Sequence, residues 1–458
     1  MSCSDCSRAD LFRKAVAQAG RGLPEIEPGM PLPAGTGMTR REFVSRTAGL
    51  ALAVYGGAAL SGKALDYGIA QAASDAATTQ KTLVTIFFNG GIDGLSVLFP
   101  AGDPRYYSLR PNLALAQTAG RPFTEDGRLR WHPGANGLAT LHDEGKVSVI
   151  PAVGYDNSNQ SHFTSRHYYE VGGTDASLRT GWLGRYLDHV GTQDNPLQGL
   201  TLDVAMHPSI ATATVPVATL AAADQYTFAP GGGLPPHPLE ASILQEAANI
   251  GAAHAKSGDA GLATAGKIAY DSHHLYYGLG AVRNGFNSPV GYPSSADPFP
   301  RRLAGLAAML AAGLPVSVVG LTFGHFDTHA GQAGVLQRDL QLASDSLLAF
   351  QRDLEARGIA DRVVTHVWSE FGRRAAENAS GGTDHGSAGV GFLIGTKVKG
   401  QMLGSHPGVT SGLDASGNLK PTADFRAVYA ALLEQWFGAD SNAILPGVAG
   451  LARPALLK

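Results

Sequence analysis

The fold of this chain is decided by the stretch Thr82-Leu-Val-Thr-Ile-Phe-Phe88, which is followed at once by Asn89-Gly-Gly-Ile-Asp93. The first part is an unbroken run of β-branched, aliphatic and aromatic residues, without the polar alternation of a strand that faces water on one side. Such a run predicts a strand buried on both faces of a parallel sheet. The glycine-rich second part predicts a loop at the carboxyl end of that strand, with Asp93 in the loop.

The same pattern of buried strand, loop and helix recurs along the chain. Further strands are predicted at 147–153, 316–322, 362–368 and 391–394. Helices are predicted near 161–169, 239–255, 300–312, 332–357 and 424–437. Alternating strands and helices favour an α/β fold with an open, mostly parallel sheet covered on both faces. Residues 200–222 are predicted to form short strands with turns, and residues 230–300 are rich in Gly, Pro, Ala and Ser. This central region, at about 200–300, is predicted to be an insertion or cap over the core.

The N-terminal region has the features of an export signal. It contains paired arginines in Thr39-Arg40-Arg41-Glu42-Phe43-Val44, an uncharged apolar run at 47–60, and a small-residue cleavage site at Ala70-Gln71-Ala72. We predict a twin-arginine signal peptide over residues 1–72, removed on export, and a mature domain over 73–458. The apolar run is shorter than the ~20 residues that span a bilayer. An uncleaved membrane anchor and a cytosolic helix that happens to carry Arg-Arg are therefore the lesser alternatives.

This signal predicts a periplasmic or secreted protein, with the twin-arginine translocase as its partner during export and no stable membrane anchor. The chain has a formal net charge of −3 and 16% charged residues, and its sequence has no basic block for nucleic acid to bind. Both cysteines, Cys3 and Cys6, fall in the segment expected to be removed, whereas all 15 histidines follow it. Metal chemistry in the mature part therefore depends on imidazole and carboxylate ligands.

Acidic, hydroxyl and imidazole side chains recur at the carboxyl ends of the predicted strands, where ligand sites form in open α/β sheets. Folding alone does not require polar residues at these positions. Imidazole and carboxylate groups together suit Zn²⁺, Mn²⁺ or Fe. The candidate residues are Asp93, Ser161, His162, His325, Asp327, His329, Glu370, Asp384 and His385.

Each of these positions also has a purely structural interpretation. Asp93 in its glycine-rich loop is typical of an Asx turn. Ser161 followed by His162 is typical of a helix N-cap with an exposed neighbour. Glu370 lies close enough in sequence to Arg373-Arg374 for a surface salt bridge. Five further histidines are interpreted as structural, either beside turn prolines or as a pair in the predicted cap: His132, His207, His406, His273 and His274.

Six motifs stand out in chain order: Phe88-Asn-Gly-Gly-Ile-Asp-Gly-Leu95, Ser161-His-Phe163, Gly181-Trp-Leu-Gly-Arg185, Phe326-Asp-Thr-His-Ala-Gly-Gln332, Ser369-Glu-Phe-Gly-Arg373 and Thr383-Asp-His-Gly386. Together they resemble the motif series of the domain-of-unknown-function 1501 family. That family consists of exported bacterial proteins related to the alkaline phosphatase and sulfatase superfamily. The resemblance covers essentially the whole predicted mature chain and agrees with the export signal.

The resemblance implies a three-layer α/β/α sandwich of the alkaline phosphatase type. By analogy with active members of the superfamily, it implies a metal-assisted hydrolase of phosphate or sulfate esters. Position by position, it implies that one or two divalent ions (Zn, Mn, Ca or Mg) are bound by Asp93, Asp327, His329, Glu370 and His385. The spacing of Asp327 and His329 is narrower than is usual in the superfamily, and Glu370 stands where an Asp-His pair is expected.

The nucleophile and the group that contacts the substrate anion are less well defined by the resemblance. Ser161 is the candidate nucleophile, with Ser158 and Thr164 as alternatives. Arg373 is the candidate anion-binding group because its planar guanidinium suits phosphate and sulfate oxygens. The chain lacks the Cys-x-Pro-x-Arg pattern that sulfatases modify, and its predicted mature part has no cysteine.

Two classes of function are compatible with these features. The leading hypothesis is an exported, metal-dependent hydrolase of small or polymeric phosphate or sulfate esters, with a hydroxyl nucleophile activated by the metal. The rival is a non-catalytic exported protein that retains the fold to bind a ligand or polymer. A hydroxyl such as that of Ser161 about 3 Å from the metals would favour the enzyme. A metal-dependent isomerase or mutase that moves a phosphoryl group is a third hypothesis.

Overall fold

The computed structural model describes residues 30–31, 34, 52–55, 80–192, 195–223, 240–254, 257–259, 279, 282 and 285–458. The paired arginines Arg40-Arg41, the cleavage site Ala70-Gln71-Ala72 and the pair His273-His274 lie outside the described residues. Within the described part of the chain, no helix is long and apolar enough to cross a membrane.

Most of the strands in the described residues belong to one mixed sheet. The strands in chain order are β1 (Leu52–Tyr55), β2 (Thr82–Phe88), β3 (Leu98–Phe99), β4 (Arg121–Pro122), β5 (Arg130–Trp131), β6 (Val147–Gly154), β7 (Gly199–Thr201), β8 (Val217–Leu220), β9 (Val318–Phe323), β10 (Val363–Trp368), β11 (Gly389–Ile394) and β12 (Ala423–Asp424). The main sheet has the order β1-β8-β7-β9-β2-β10-β11-β6-β12, and β3, β5 and β4 form a small second sheet.

The centre of the main sheet is parallel. β2 pairs in parallel with β9 on one side and with β10 on the other, and β7 pairs in parallel with β9 and β8. β11 runs antiparallel to both of its neighbours, β10 and β6. The sheet is therefore mixed but mostly parallel. Consequently, the carboxyl ends of β9, β2 and β10 lie side by side at one edge, where sites form in α/β folds.

Two apolar cores lie on opposite faces of this sheet, and β2 contributes to both. Val84, Ile86 and Phe88 belong to one core, and Leu83 and Phe87 belong to the other. Successive side chains of a strand point to opposite faces, and all seven residues of β2 are buried. This double burial explains the unbroken apolar run in the sequence.

Helices cover both faces of the sheet. The helices of the described residues are α1 (Gly94–Val97), α2 (Pro104–Leu109), α3 (Asn136–Asp143), α4 (His162–Val171), α5 (Trp182–Val190), α6 (Glu240–His254), α7 (Phe299–Ala311), α8 (Gln332–Ala356), α9 (Phe425–Ala431) and α10 (Ser441–Ile444). Helices α3, α7 and α8 pack into the core that contains Val84, while α4, α5 and α9 pack into the core that contains Leu83. The molecule is thus a three-layer α/β/α sandwich, as expected.

The structure confirms the predicted strands to within a few residues, including the short strands near 200–222, but corrects the prediction that this part belongs to a cap. Within that range, β7 and β8 extend the main sheet beside β9 and do not form part of a cap. Their side chains are buried, so these short segments belong to the core. Farther along this region, α6 confirms the predicted helix near 239–255. The division of the chain into domains stays a prediction.

The edge strand β1 lies inside the segment that we predict to be a signal peptide. It pairs antiparallel with β8, from Leu52 opposite Leu220 to Tyr55 opposite Val217. Removal of residues 1–72 would leave β8 as the edge strand of the sheet. The cleavage position also stays a prediction.

Candidate metal centre

Three of the loops at the carboxyl edge of the sheet carry imidazole and carboxylate side chains toward one point. His162 is the first residue of α4, which follows β6, and Asp327 and His329 lie in the loop between β9 and α8. Glu370 comes two residues after β10, and His385 lies in the loop between β10 and β11. Because β9, β2 and β10 are parallel neighbours, these loops meet although their residues are far apart in sequence.

The tip atoms of His385 and Asp327 contact each other, and each also contacts the tips of His162 and His329. The Nε2 atom of His385 lies 2.9 Å from Nε2 of His162 and 2.9 Å from Nε2 of His329. The Oδ1 atom of Asp327 lies 3.0 Å from Nε2 of His329 and 3.4 Å from Nε2 of both His162 and His385. Among the described residues, His162, Asp327 and His385 form the one group with the spacing of a metal site. His329 adjoins this group.

The Nδ1 atom of each of the three imidazoles donates a hydrogen bond to an oxygen atom outside the cluster. Nδ1 of His162 lies 2.7 Å from the carboxylate of Glu370, and Nδ1 of His385 lies 2.9 Å from the main-chain oxygen of Gln160. Nδ1 of His329 lies 3.2 Å from the carboxylate of Asp384. Carbonyl and carboxylate oxygens only accept hydrogen bonds. In the neutral form, each ring therefore carries its proton on Nδ1 and its lone pair on Nε2.

With all three rings neutral, four lone-pair atoms therefore lie close together with no proton between them. A single added proton can bridge one of these contacts, whereas a cation can be bound by His162, Asp327 and His385 together, with His329 beside them. Zn²⁺ holds tetrahedral nitrogen and oxygen ligands at about 2.0–2.1 Å, which separates neighbouring ligand atoms by about 3.3 Å. The separations among His162, Asp327 and His385, 2.9–3.4 Å, match that spacing. The donor set therefore fits a metal ion.

The pKa shifts of two facing histidines have opposite signs. Burial lowers the pKa of His162, but hydrogen bonds and charge from Asp327 and Glu370 outweigh burial and raise it to about 9. Burial, together with the charges of His162 and Arg373, lowers the pKa of His385. Without a metal, the pair therefore holds one proton, on His162. Metal binding at such a site displaces protons from its ligands.

Asp327 is held as an anion at the centre of this cluster. Burial acts to raise its pKa, but hydrogen bonds from His162 and His385 and the charge of Arg373 keep that pKa well below its usual range. Nη2 of Arg373 donates to Asp327 Oδ1 at 2.7 Å. The other oxygen, Oδ2, is buried and has no hydrogen-bond partner among the described residues. Because a buried carboxylate oxygen without a partner is costly, this atom also suits a cation ligand.

Glu370 lies behind His162 and orients its ring. Its carboxylate accepts hydrogen bonds from the main-chain nitrogens of Gly90 and Gly91 at 2.9–3.2 Å and from the hydroxyl of Ser369 at 3.0 Å. Gly90 and Gly91 have positive φ angles of 110° and 73°. A Cβ atom at Gly90 would lie 2.3 Å from the main-chain nitrogen of Asp327. Only glycine at position 90 therefore permits this close approach of the two main-chain segments. The amides of Gly90 and Gly91 then hold the Glu370 carboxylate, which fixes the tautomer of His162.

The centre is reached from solvent on one side. The side chains of His162 and Asp327 are 12% and 14% exposed, whereas those of His385 and His329 are 22% and 29% exposed. The opening therefore lies on the His329 and His385 side. A ligand could approach there without displacing Glu370.

Asp93, predicted to be a metal ligand, lies outside this cluster. Its carboxylate forms a buried bidentate pair with Arg110, at 2.5 and 2.9 Å, and accepts from Ser96 and Gln332. Burial acts to raise the pKa of Asp93, but the charge and hydrogen bonds of Arg110, together with hydrogen bonds from Ser96 and Gln332, outweigh burial and lower it. The cation beside Asp93 is thus a guanidinium, which explains how this acidic side chain can be buried after β2 without a metal.

Ser161, the predicted nucleophile, caps α4. Its hydroxyl oxygen accepts from the main-chain nitrogens of Phe163 and Thr164 at 3.2 and 3.5 Å. This is the structural interpretation that the sequence also allowed, although the neighbouring His162 side chain is only 12% exposed. The alternative nucleophile Ser158 forms a hydrogen bond of 2.6 Å with Ser387. A nucleophilic role for any of these hydroxyls stays a prediction.

Arg373, predicted to contact the substrate anion, is fully buried behind Asp327. Its guanidinium donates to the main-chain oxygens of Gly90, Gly91, Phe326 and Thr383, in addition to Asp327. All three of its nitrogens are therefore bonded within the protein. In this arrangement Arg373 positions Asp327 and joins three of the loops that form the site.

The structure brings together four of the five predicted metal ligands and adds one that was not in that set. Asp327, His329 and His385 meet at the centre, and Glu370 reaches it through His162. His162 was a candidate only as the neighbour of Ser161. The sequence feature that could have identified His162 as a ligand is its position as the first residue of a helix at the carboxyl edge of the sheet. His325, in the same loop as His329, is 79% exposed and pairs with Asp339 instead.

The fold and this cluster define an α/β/α protein with a candidate His/Asp metal centre. The chain belongs to the family described as "Protein of unknown function (DUF1501)", whose model matches residues 148–447. A comparison with curated proteins gives no match.

Solved structures with a similar fold come from several bacteria. The lipoteichoic acid synthase LtaP from Listeria monocytogenes is 10% identical, with 82% of this chain and 79% of that chain covered and a TM-score of 0.34. A protein in the alkaline phosphatase superfamily from Vibrio parahaemolyticus is 9% identical, with 86% and 80% covered and a TM-score of 0.34. The PsFucS1 sulfatase from Pseudoalteromonas sp. is 11% identical, with 87% and 77% covered and a TM-score of 0.33. At such TM-scores these likenesses carry no conclusion about activity.

Proposed function

We propose that this protein is an exported, metal-dependent hydrolase of phosphate or sulfate esters that binds one transition-metal ion per chain. The observation that carries the proposal is the convergence of three imidazole Nε2 atoms and Asp327 Oδ1, each without a proton in its neutral or ionised form. A metal bound there would supply Lewis acidity toward an ester oxygen. The solvent-facing side of His329 and His385 is where an ester would enter.

The donor set favours one class of metal. Imidazole nitrogen suits Zn²⁺, Fe²⁺ and related ions, whereas Ca²⁺ and Mg²⁺ prefer oxygen ligands. Three nitrogens and one oxygen therefore argue for Zn²⁺ or a similar ion among the metals considered from the sequence. We expect one ion, because Arg110 already neutralises the carboxylate of Asp93.

The chain's own residues would hold and orient the ligands in this proposal. Glu370 fixes the ring of His162, Asp384 fixes that of His329, and Arg373 holds Asp327 in its ionised form. Ser161 remains the proposed nucleophile because it directly precedes His162. For attack, its hydroxyl would have to leave the two amide donors that it now accepts from.

A second candidate function is supported by the engagement of Ser161 in the helix cap. If that hydroxyl never leaves the cap, the protein retains the fold and the metal to bind a phosphate- or sulfate-bearing ligand without hydrolysing it. Export through the twin-arginine pathway is part of both proposals. This pathway carries folded cargo, which is compatible with a metal site assembled in the cytoplasm.

Metal analysis of the purified mature protein tests the metal claim. We expect about one Zn²⁺ or similar ion per chain, which is lost in the Asp327→Ala/His329→Ala variant. His325→Ala is the matched control, because His325 lies in the same loop but outside the cluster. A folded wild-type protein that binds no metal, or a double variant that keeps it, would contradict the proposal.

Turnover assays then separate the two functions. The metal-loaded protein is assayed with phosphate monoesters, phosphate diesters and sulfate esters. Turnover that needs the metal supports the hydrolase, and its loss in both Ser161→Ala and Ser161→Asn supports Ser161 as the nucleophile. Ligand-induced thermal stabilisation of the metal-loaded protein without any turnover supports the binding protein.

A further inference from the structure

Gln332, the first residue of α8, contacts both loops that carry the metal ligands. Its side-chain oxygen accepts from the hydroxyl of Thr328 at 3.1 Å and from the hydroxyl of Thr383 at 2.5 Å. Thr328 stands between the ligands Asp327 and His329. Thr383 comes two residues before the ligand His385. One amide oxygen thus joins the two chain segments that supply three of the four central ligand atoms.

The other end of the Gln332 side chain is fixed by the Asp93–Arg110 ion pair. Its Nε2 donates to Asp93 Oδ2 at 2.5 Å, and Arg110 also donates to the main-chain oxygens of Arg374 and Ala375. Side chains of Asp93 and Arg110 are essentially fully buried, as is Gln332. Because Asp93 is an anion and only accepts hydrogen bonds, it forces Gln332 to present its oxygen, and not its NH₂ group, to the two threonines.

The main chain reinforces this arrangement. The nitrogen of Gln332 donates to the oxygen of Gly381 at 2.9 Å, and the nitrogen of Thr383 donates to the oxygen of Thr328 at 3.1 Å. A Cβ atom at Gly382 would lie 2.3–2.4 Å from main-chain atoms of Thr328 and His329. The two ligand loops are therefore in direct contact, and Gln332 bonds to both of them at that contact.

We propose that Gln332 is a positioning residue of the metal centre, and that the sequence-predicted ligand Asp93 acts on the metal only by orienting Gln332. This inference rests on the proposed metal centre and not on the proposed hydrolysis. It predicts that Asp93 and Gln332 set the affinity for the metal but not the number of ions bound. Loss of an outer hydrogen-bond partner typically lowers metal affinity by about 10- to 100-fold.

Exchange of the two polar groups provides the decisive test. In Gln332→Glu, two carboxylates face each other across the 2.5 Å contact. In Asp93→Asn, the anion that orients Gln332 is lost. In the Asp93→Asn/Gln332→Glu double variant, an amide again faces a carboxylate, the threonines keep their acceptor, and the net charge of the pair is unchanged.

We expect each single variant to bind Zn²⁺ about 10- to 100-fold more weakly than wild type, in competition with a chelator, while still binding one ion at saturation. The double variant should recover most of the affinity. The visible absorption of the Co²⁺-loaded protein should follow the same order, because it reports the ligand geometry. Gln351→Glu, the same substitution at a buried position 19 residues along α8, is the matched control and should leave the affinity unchanged.

Wild-type affinity in both folded single variants would overturn the inference, and so would a double variant no better than the weaker single variant. If the single variants do not fold, Thr383→Val removes one hydroxyl donor with little change in volume, and an unchanged Zn²⁺ affinity in that variant would overturn the inference equally. A wild-type protein that binds no metal overturns this inference and the metal centre together. Metal binding without turnover contradicts the hydrolase alone.

Discussion

At the scale of single residues, the site depends on contacts that fix which atom of each side chain faces the centre. Glu370, Gln160 and Asp384 each accept from Nδ1 of a histidine, so all three rings present Nε2. The ligands alone do not specify this arrangement. The residues that accept from Nδ1, above all the buried Glu370, determine whether each Nε2 atom at the centre carries a lone pair or a proton.

Glu370→Gln tests this role of the carboxylate. The amide retains the length of the side chain but loses the charge that holds the Nδ1 proton of His162 in place. We expect the affinity for Zn²⁺ to fall by about 10- to 100-fold, measured by competition with a chelator. Glu377→Gln, which removes a carboxylate that bonds to Asn112 and Leu113, is the control. An affinity within twofold of wild type in Glu370→Gln would contradict the assigned role.

The sequence predicts the ligands that stand in loops after strands, but it does not predict the side-chain contacts between residues that are far apart in the chain. Asp327, His329 and His385 follow from ligand-type residues in loops after strands. His162 could not be ranked as a ligand, because its partner Glu370 lies 208 residues away and no periodicity links the two. Asp93 was assigned to the metal for the same reason, since the sequence does not reveal that Arg110 reaches it.

At the scale of secondary-structure elements, the strands that were predicted well are the long ones buried on both faces. β2 has seven apolar or β-branched residues and was predicted at its observed ends. β7 and β8 have three and four residues, and short strands were predicted there, but not their place in the main sheet. The pairing of β7 with β9 and with β8 is set by tertiary contacts. Helix α4 was predicted from its N-cap residue, Ser161, as well as from its pattern.

Ser161 is both the N-cap of α4 and the proposed nucleophile. An alanine variant removes both roles, so it does not distinguish them. Ser161→Ala removes the acceptor for two amides of α4 and should lower the free energy of unfolding by about 1 kcal/mol. Ser161→Asn restores an acceptor at the N-cap and should be within a few tenths of a kcal/mol of wild type, but it has no hydroxyl. Urea unfolding measures the first effect, and turnover measures the second. If Ser161 is only a cap, Ser161→Asn should keep any activity that Ser161→Ala loses.

At the scale of the whole molecule, three separate turns contain the same histidine hydrogen bond. His132, His207 and His406 each precede a proline, and Nδ1 of each accepts from the main-chain nitrogen two residues later, at 3.0–3.3 Å. The structure thus agrees with the structural interpretation of these three histidines. Burial lowers the pKa of each to about 4, because a proton on the ring would be desolvated and would occupy the acceptor atom.

These three histidines should make the fold sensitive to mild acid. An unfolded histidine titrates near pH 6.5, so below that pH the unfolded chain takes up protons that the folded chain does not. The contribution to stability is therefore complete above pH 6.5 and is lost progressively as the pH falls toward 4. Near the middle of that range, each histidine adds a slope of up to about 1.4 kcal/mol per pH unit.

Urea unfolding between pH 7.5 and 4.5 measures this slope, and one substitution isolates a single histidine. His406→Asn supplies an oxygen acceptor to Gly408 but has no group that titrates in this range. Whatever its stability at pH 7.5, the variant should lose less free energy of unfolding than wild type as the pH falls to 4.5. The difference in slope comes from position 406 alone, because the two proteins differ at no other residue. Equal slopes would mean that His406 titrates alike in the folded and unfolded chains, which its burial and its bond to Gly408 argue against.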